Sequence, residues 1–419
     1  MPPTRESGQF APNHFKPGTV RGAPGFFRVG CAPDGRWWLI GPHDRPVFLR
    51  AVGAVNRHAA GRRRVAVPPE FAPPAGGEPN AFARETGRRL LGWGFNALGI
   101  GSDPDLAGLG GLHHVGLVDF LHAGGPVIRA HGVVLPDVFD TAWPAFCDAR
   151  AKLAAACWRG RTGLVGLHTD ADIVWASPAS AGGLGLLQIC LGLEPVHAAH
   201  HAAWEFALAP HSGDLAALGR AWGMALPHRE TIRQLTHAER PLAHPAHRAD
   251  DQRFTREFAR RYFQTTVGAL RRHDPGHLVL GVRFASPPPA AVLAESGPAL
   301  VDLLALPAGD LPPGQPRLLI DVGLPEGTAR PADLTSPRAG PTRLERRLAG
   351  LRRQIGTATV NPLVVGYEWA RWSDEAGDTP PFAPGLVHLD GAEAREHTEL
   401  VTPLNIGAEA RRRRARPVT

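Results

Sequence analysis

The feature that most constrains this chain is a recurrence: short apolar runs rich in β-branched residues alternate with stretches of helical periodicity along most of its 419 residues. Residues 47–55, 95–100 (FNALGI), 115–121, 163–169 (GLVGLHT), 278–284 (LVLGVRF), 301–304 (VDLL), 317–320 (RLLI) and 363–369 (LVVGYEW) read as strands. Residues 79–94, 143–158, 257–273 and 343–355 repeat apolar side chains at helical spacing. Strand, helix, strand is the unit of a parallel sheet, because a parallel partner is reached only by crossing back over the sheet. Starts at Val47, Phe95, Val115, Gly163, Leu278, Val301, Arg317 and Leu363 supply the eight strands that close a ring. The expected fold is therefore α/β, a (β/α)8 TIM barrel. A doubly wound open sheet shares the alternation but needs an early glycine fingerprint. Gly99-Ile100-Gly101 instead runs on into Ser-Asp-Pro-Asp.

The expected organisation is a flexible leader (1–24), one barrel domain (25–405) and a basic tail (406–419). Within the barrel domain, 25–40 reads as a hairpin around the Asp34-Gly35 turn, placed to close the bottom of the barrel. A helical insertion (173–277) after strand 4 includes the periodic stretches 195–208 and 214–224 and would form a wall or lid over the active face.

A net charge of +7 and a pI near 10 raise the question of a nucleic-acid partner. Lysine occurs only at Lys16 and Lys152, so the excess is an arginine bias running the length of the chain. Its dense clusters, Arg62 to Arg64 and Arg411 to Arg414, have no interleaved aromatics and read as a solvated loop and tail, so no nucleic acid is expected. No uninterrupted apolar run reaches membrane-spanning length, and the first residues lack signal-peptide character, so no membrane association and a cytoplasmic location are expected. Cys31, Cys147, Cys157 and Cys190 lack metal-site spacing. His197, His201 and Glu205 line one helix face at four-residue steps, without the embedded base of a zinc protease, and read as a lid-helix face. No metal and no cofactor are expected.

In a barrel, residues at the carboxyl ends of the strands converge on one site. This would gather Asn56, His168, Asp170, Asp172, Arg283, Asp321, Glu368, Trp369 and Trp372. Carboxylates with indoles suit a sugar, which stacks its C–H faces on aromatic rings while two carboxyl groups handle the glycosidic bond. Glu368 and Trp369 are adjacent, so an intact strand allows only one of them to point inward.

Several long motifs then appear in a familiar order: GRWWLIGPHDRPVFLRAVGAVN (35–56), HTDADIVWASP (168–178), LLQICLGLEPVHAAHHAAWEFALAPHSG (186–213), FTREFARRYF (254–263), HDPGHLVLGVRF (273–284) and VVGYEWARWSD (364–374). This succession resembles bacterial agarase-like, β-agarase/β-galactosidase-related glycoside hydrolases over roughly residues 25–405. The resemblance implies a retaining barrel with two glutamates, an acid/base after strand 4 and a nucleophile after strand 7. Those positions are Asp172 and Asp321 here, so both glutamates are replaced by aspartates, and the asparagine expected before the acid is Ala171. Asp172 would act as acid and Asp321 as nucleophile or base. Arg283, Trp369 and Asn56 correspond to the arginine of strand 5, the tryptophan of strand 8 and the polar end of strand 1, and with His168, Asp170, Glu368 and Trp372 they would contact substrate. The partner would be an oligosaccharide or glycoside, β-linked and galactose-containing or related. Each aspartate withdraws its carboxyl group by about 1.5 Å, against the roughly 5 to 5.5 Å separation that retention needs. Three readings stay open: a non-catalytic barrel that binds a glycan, an active hydrolase of adjusted geometry, and a different or purely structural role.

Overall fold

The computed structural model describes residues 15–56, 81–103, 106, 108–176, 183–309, 314–324, 343–374 and 383–415. Its first strands, β1 (Arg28–Cys31) and β2 (Trp37–Ile40), pair antiparallel about the Asp34-Gly35 turn, where Gly35 takes φ +84°. A short β3 (Pro46–Val47) extends this sheet. The run expected as one strand from Val47 thus serves two sheets: Phe48, fully buried, marks the change, and β4 (Leu49–Val52) enters the barrel.

Helix α1 (Ala81–Gly92) leads to β5 (Ala97–Leu98) and β6 (His113–Leu117). A surface hairpin, β7 (Val127–Ala130) and β8 (Val133–Pro136), precedes α2 (Trp143–Trp158) and β9 (Leu164–Ala171). The helices α3 (Leu186–Gly192), α4 (Ala198–Leu208), α5 (Leu215–Ala221), α6 (Glu230–His237) and α7 (Pro245–His273) follow. The chain then runs through β10 (Leu278–Arg283), α8 (Ala290–Glu295), β11 (Leu304–Leu306), β12 (Arg317–Val322), α9 (Arg343–Val360), β13 (Val364–Trp369), α10 (Arg395–Ile406) and α11 (Ala408–Arg414). Strands β4, β5, β6, β9, β10, β11, β12 and β13 pair in parallel and close a barrel through β13 and β4. This is the (β/α)8 architecture expected from the alternation.

The barrel interior is filled by Leu49, Val165, Leu280 and Ile320, and Phe27, Val29 and Leu39 from the hairpin sheet join the same cluster. The Trp37 amide donates to Pro362 O at 2.8 Å, beside the start of β13, so the sheet plugs the amino-terminal end. The helices after β9 bury Leu187, Trp204, Ile232 and Phe254 in one cluster with Leu167 and Val279 on the outer face of the barrel. The Ala199 amide at the start of α4 donates to Asp137 Oδ2 at 3.1 Å, beside the β7–β8 hairpin.

Two boundaries move for identifiable reasons. Helix α7 begins at Pro245 rather than Glu257, because proline needs no amide partner in a first turn and His244 Nδ1 caps it through the Ala246 amide. Strand β11 begins at Leu304 rather than Val301, since Asp302 is held by Arg271 at 2.5 Å and by the Val279 amide at 2.7 Å. Part of the segment expected as a flexible leader, and the tail expected to be solvated, are docked on the barrel. Residues 15–24 include Phe15, buried against Gly30, and Arg21, which bridges to Val29. Arg411 to Arg414 belong to α11, and Arg412 is fully buried, donating to Trp37 O, Thr359 O, Asn361 O and Pro362 O. The rest of the leader and the Arg62 to Arg64 cluster lie outside the described residues. No described helix is long and apolar enough to cross a membrane.

Candidate active site

Three barrel strands deliver carboxylates to one arginine, and irregular strand ends aim them. In β12, Leu319 pairs with Tyr367 and Val322 with Trp369, so residues 320 and 321 oppose Glu368 alone: a bulge. Asp321 occupies it at φ +58°, the left-handed region that aspartate tolerates better than most residues. Asp172, immediately after β9, takes the same φ of +58° while its amide donates to Arg283 O at 2.9 Å. Departures of this kind cost of order 1 kcal/mol and concentrate at functional sites. Each turns a short carboxylate out of the strand's pleat.

Arg283, the last residue of β10, is buried among the three acids. Its Nη2 donates to Asp321 Oδ1 at 2.6 Å, its Nη1 to Asp172 Oδ1 at 3.5 Å, and its Nε and Nη2 to Glu368 Oε1 at 3.2 and 3.1 Å. The side chains of Asp172 and Asp321 remain 28% and 16% exposed, whereas that of Glu368 is completely buried. Two carboxylates therefore face solvent and the third lies beneath them. Burial raises the Glu368 pKa; the charge of Arg283 opposes this, while that of Asp321 adds to it. Glu368 Oε2 accepts no well-formed hydrogen bond; the Ile100 amide adds only a weaker electrostatic pull.

His168 is fully buried with Nδ1 at 3.1 Å from Gly281 O. Burial, followed by the Arg283 charge, lowers its pKa to about 3, so the ring is neutral at ordinary pH. Asp170 does not join the arginine cluster. A bulge at Thr169 brings Thr169 and Asp170 to the same hydroxyl: Tyr262 Oη of α7 is hydrogen-bonded with Thr169 Oγ1 at 2.9 Å and with Asp170 Oδ2 at 2.5 Å, its single proton serving one of the two. Asp170 Oδ1 accepts the Leu121 amide at 2.9 Å, and burial outweighs these bonds, pushing its pKa up to about 8.

Asn56 lies half-buried on the loop after β4, donating to Ala54 O at 3.2 Å and Gly101 O at 3.5 Å. The strand remains intact through Trp369, so Glu368 points in and Trp369 out. The Trp369 indole is 0% exposed, donates to Pro384 O at 2.8 Å and packs on His397. Trp372 is 5% exposed and tilts against Trp93 at 5.7 Å. Neither offers a stacking face to a sugar in this conformation. His201 Nε2 meets Pro195 O at 2.7 Å, and no cluster among the described residues could hold a metal ion.

Neither Tyr262 nor Gly99 stood out in the sequence as part of this site. Tyr262 sits in a quoted motif but on a helix, where position in a strand gives no guidance. A Cβ on Gly99 would fall 2.4 Å from Glu368 Oε2. A glycine in or just past a strand is a signal of such close approach.

No family model matches the sequence. Beta-agarase A of Vibrio sp. (strain JT0107) is 26% identical over 235 residues, covering 52% of this chain and 23% of that protein. Among solved structures, PfGH50B superposes with a TM-score of 0.70 at 17% identity, covering 94% of this chain and 67% of that one. An exo-β-agarase gives 0.69 at 18%, covering 93% and 66%, and an agarase gives 0.68 at 18%, covering 94% and 66%. The chain thus spans about two thirds of these solved proteins, and its match with beta-agarase A less than a quarter of that protein. It resembles agarase-like glycoside hydrolases in sequence over half its length and shares their fold over nearly all of it.

Proposed function

We propose that this barrel binds a β-linked, galactose-containing oligosaccharide of the agarose type at its carboxyl-end mouth, with hydrolysis weakened or lost. The observation that supports this reading is the attachment of Asp172 and Asp321 to one guanidinium, at 3.5 and 2.6 Å. A glycosidase assigns acid and nucleophile to two carboxyl groups by giving them unlike surroundings. Here the pair shares a donor, so their roles are poorly separated, while both keep oxygens that can accept sugar hydroxyls. Calorimetry with a series of neutral agar-derived oligosaccharides, run beside hydrolysis of the same sugars and of aryl β-galactosides, tests it. Saturable binding with turnover about 100-fold or more below that of a glutamate-bearing relative is expected. Turnover matching that relative, or no binding to any member, overturns it.

A second reading has its own observation: both aspartates are reachable from solvent and set on left-handed backbone, as a hydrolase of adjusted geometry would require. In that reading Asp172 is the acid and Asp321 the nucleophile or base. The anomeric configuration of any product would then report whether water attacks directly or after a covalent intermediate.

A further inference from the structure

We propose that Glu368 is a positioning residue for Arg283, and that Gly99 is glycine because the Glu368 carboxyl group occupies the space of its side chain. The inference rests on the carboxyl-end mouth being a carbohydrate site, and it assigns Glu368 a part that does not involve touching the sugar. Complete burial keeps Glu368 away from any ligand. What it reaches is Arg283, three strands away around the barrel, through Nε at 3.2 Å and Nη2 at 3.1 Å. An arginine has many rotamers to lose, and bonds at its two Nη tips alone would leave the Nε edge of the guanidinium unanchored. Fixing Nε as well defines the plane, and that plane carries Nη1 toward Asp172 and Nη2 toward Asp321.

The fit on the other side of Glu368 makes the same point. A Cβ on Gly99 would approach Oε2 to 2.4 Å, Cδ to 2.7 Å and Cγ to 2.9 Å. Gly99 does not need glycine for its backbone, since its φ lies outside the positive region. It is bonded through its amide to Val52 O at 2.7 Å, so β4 holds it in place. The glycine therefore serves the carboxyl group, and any larger residue would push Glu368 toward Arg283 or out of its seat.

The test compares Glu368→Gln, Glu368→Ala, Gly99→Ala and the double variant Glu368→Ala/Gly99→Ala in the full chain. The probe is an agar-derived oligosaccharide by calorimetry, joined by hydrogen exchange at Arg283 Nε measured by NMR and assigned with Arg283→Lys. Glu368→Gln preserves shape and should keep the thermal transition, yet weaken affinity on the order of 10- to 100-fold. Exchange at Arg283 Nε should accelerate on the order of 10-fold as the anchor loses its charge. Gly99→Ala should match those losses, because the atoms its added Cβ would meet first are those of the Glu368 side chain. In the Glu368→Ala background Gly99→Ala should cost nothing further, because the clash has gone. Unchanged Nε exchange in a folded Glu368→Gln protein overturns the proposal, as do losses from Gly99→Ala and Glu368→Ala that simply add. If the parent protein bound no sugar, the functional reading would fall, and the exchange measurements would still decide the positioning role.

Discussion

At the scale of single residues, the buried acids differ in what holds them, and the difference predicts opposite responses. Arg283 compensates Glu368, so Arg283→Ala would leave a carboxyl group buried without a counter-ion. Such breakage costs about 3 to 5 kcal/mol, visible in urea unfolding, whereas Asp172→Ala, at a more exposed and longer contact, should cost under about 1 kcal/mol. Asp170 follows another logic. Its folded pKa of about 8 lies above its ordinary value near 3.8, so the folded protein retains a proton that the unfolded chain releases. Stability from this group is therefore complete below about pH 4 and is lost as pH rises through about 8. Asp170→Asn has nothing to ionise, so its urea midpoint should decline less than the parent's between pH 5 and 8. A parallel decline in both proteins would show that Asp170 is ionised in the fold.

At the scale of elements, what was legible in the sequence followed from periodicity and what was hidden followed from irregularity. All eight barrel strands were visible, because a strand covered by helices on one face and filled on the other reads as a nearly continuous apolar run. The carboxyl ends of those strands were visible too, and with them Asp172, Arg283 and Asp321. The direction of a side chain at a bulge was not. An extra residue at Thr169 sends Asp170 toward Tyr262, and one in β12 turns Asp321 to the mouth, yet neither bulge has a sequence signature. Glu368 and Trp369 were resolved only by knowing that β13 continues to Trp369.

The junction of α7 and β10 carries a prediction of its own. Asp274 caps the turn through His277 Nδ1, at 2.7 and 2.9 Å, and the opposite ring nitrogen meets Arg161 O at 3.1 Å. Burial alone would raise the Asp274 pKa, but its bonds to His277 bring it below the usual value. That stability is present above about pH 4 and disappears as pH falls through the depressed pKa. Asp274→Asn should therefore lower the thermal transition at pH 6 and narrow the gap to the parent protein under strong acid. A constant difference from pH 6 down to pH 2 would count against the clamp.

At the scale of the whole molecule, the two ends of the described chain close the barrel together. The hairpin sheet plugs the amino-terminal opening, and Arg412 fastens it to the turn before β13. One guanidinium donates to Trp37 O at 2.6 Å in the plug, to Thr359 O in the last turn of α9 at 2.9 Å and to Asn361 O just after it at 2.8 Å, with its plane over Trp38 and Phe48. These are planar, forked contacts that an ammonium cannot copy. Arg412→Ala should then destabilise the protein by about 3 kcal/mol, because buried carbonyls lose their donors and two rings lose their cation. Arg412→Lys should recover less than half of that loss. The effect should be local in origin: amide exchange should accelerate in β1 and β2 well before β9 and β10, since the latter pair, although packed on the plug, is also held by the insertion and by Arg283. Equal acceleration throughout the barrel would mean that α11 supports the fold as a whole. Acceleration confined to α11 would mean that the plug holds without it.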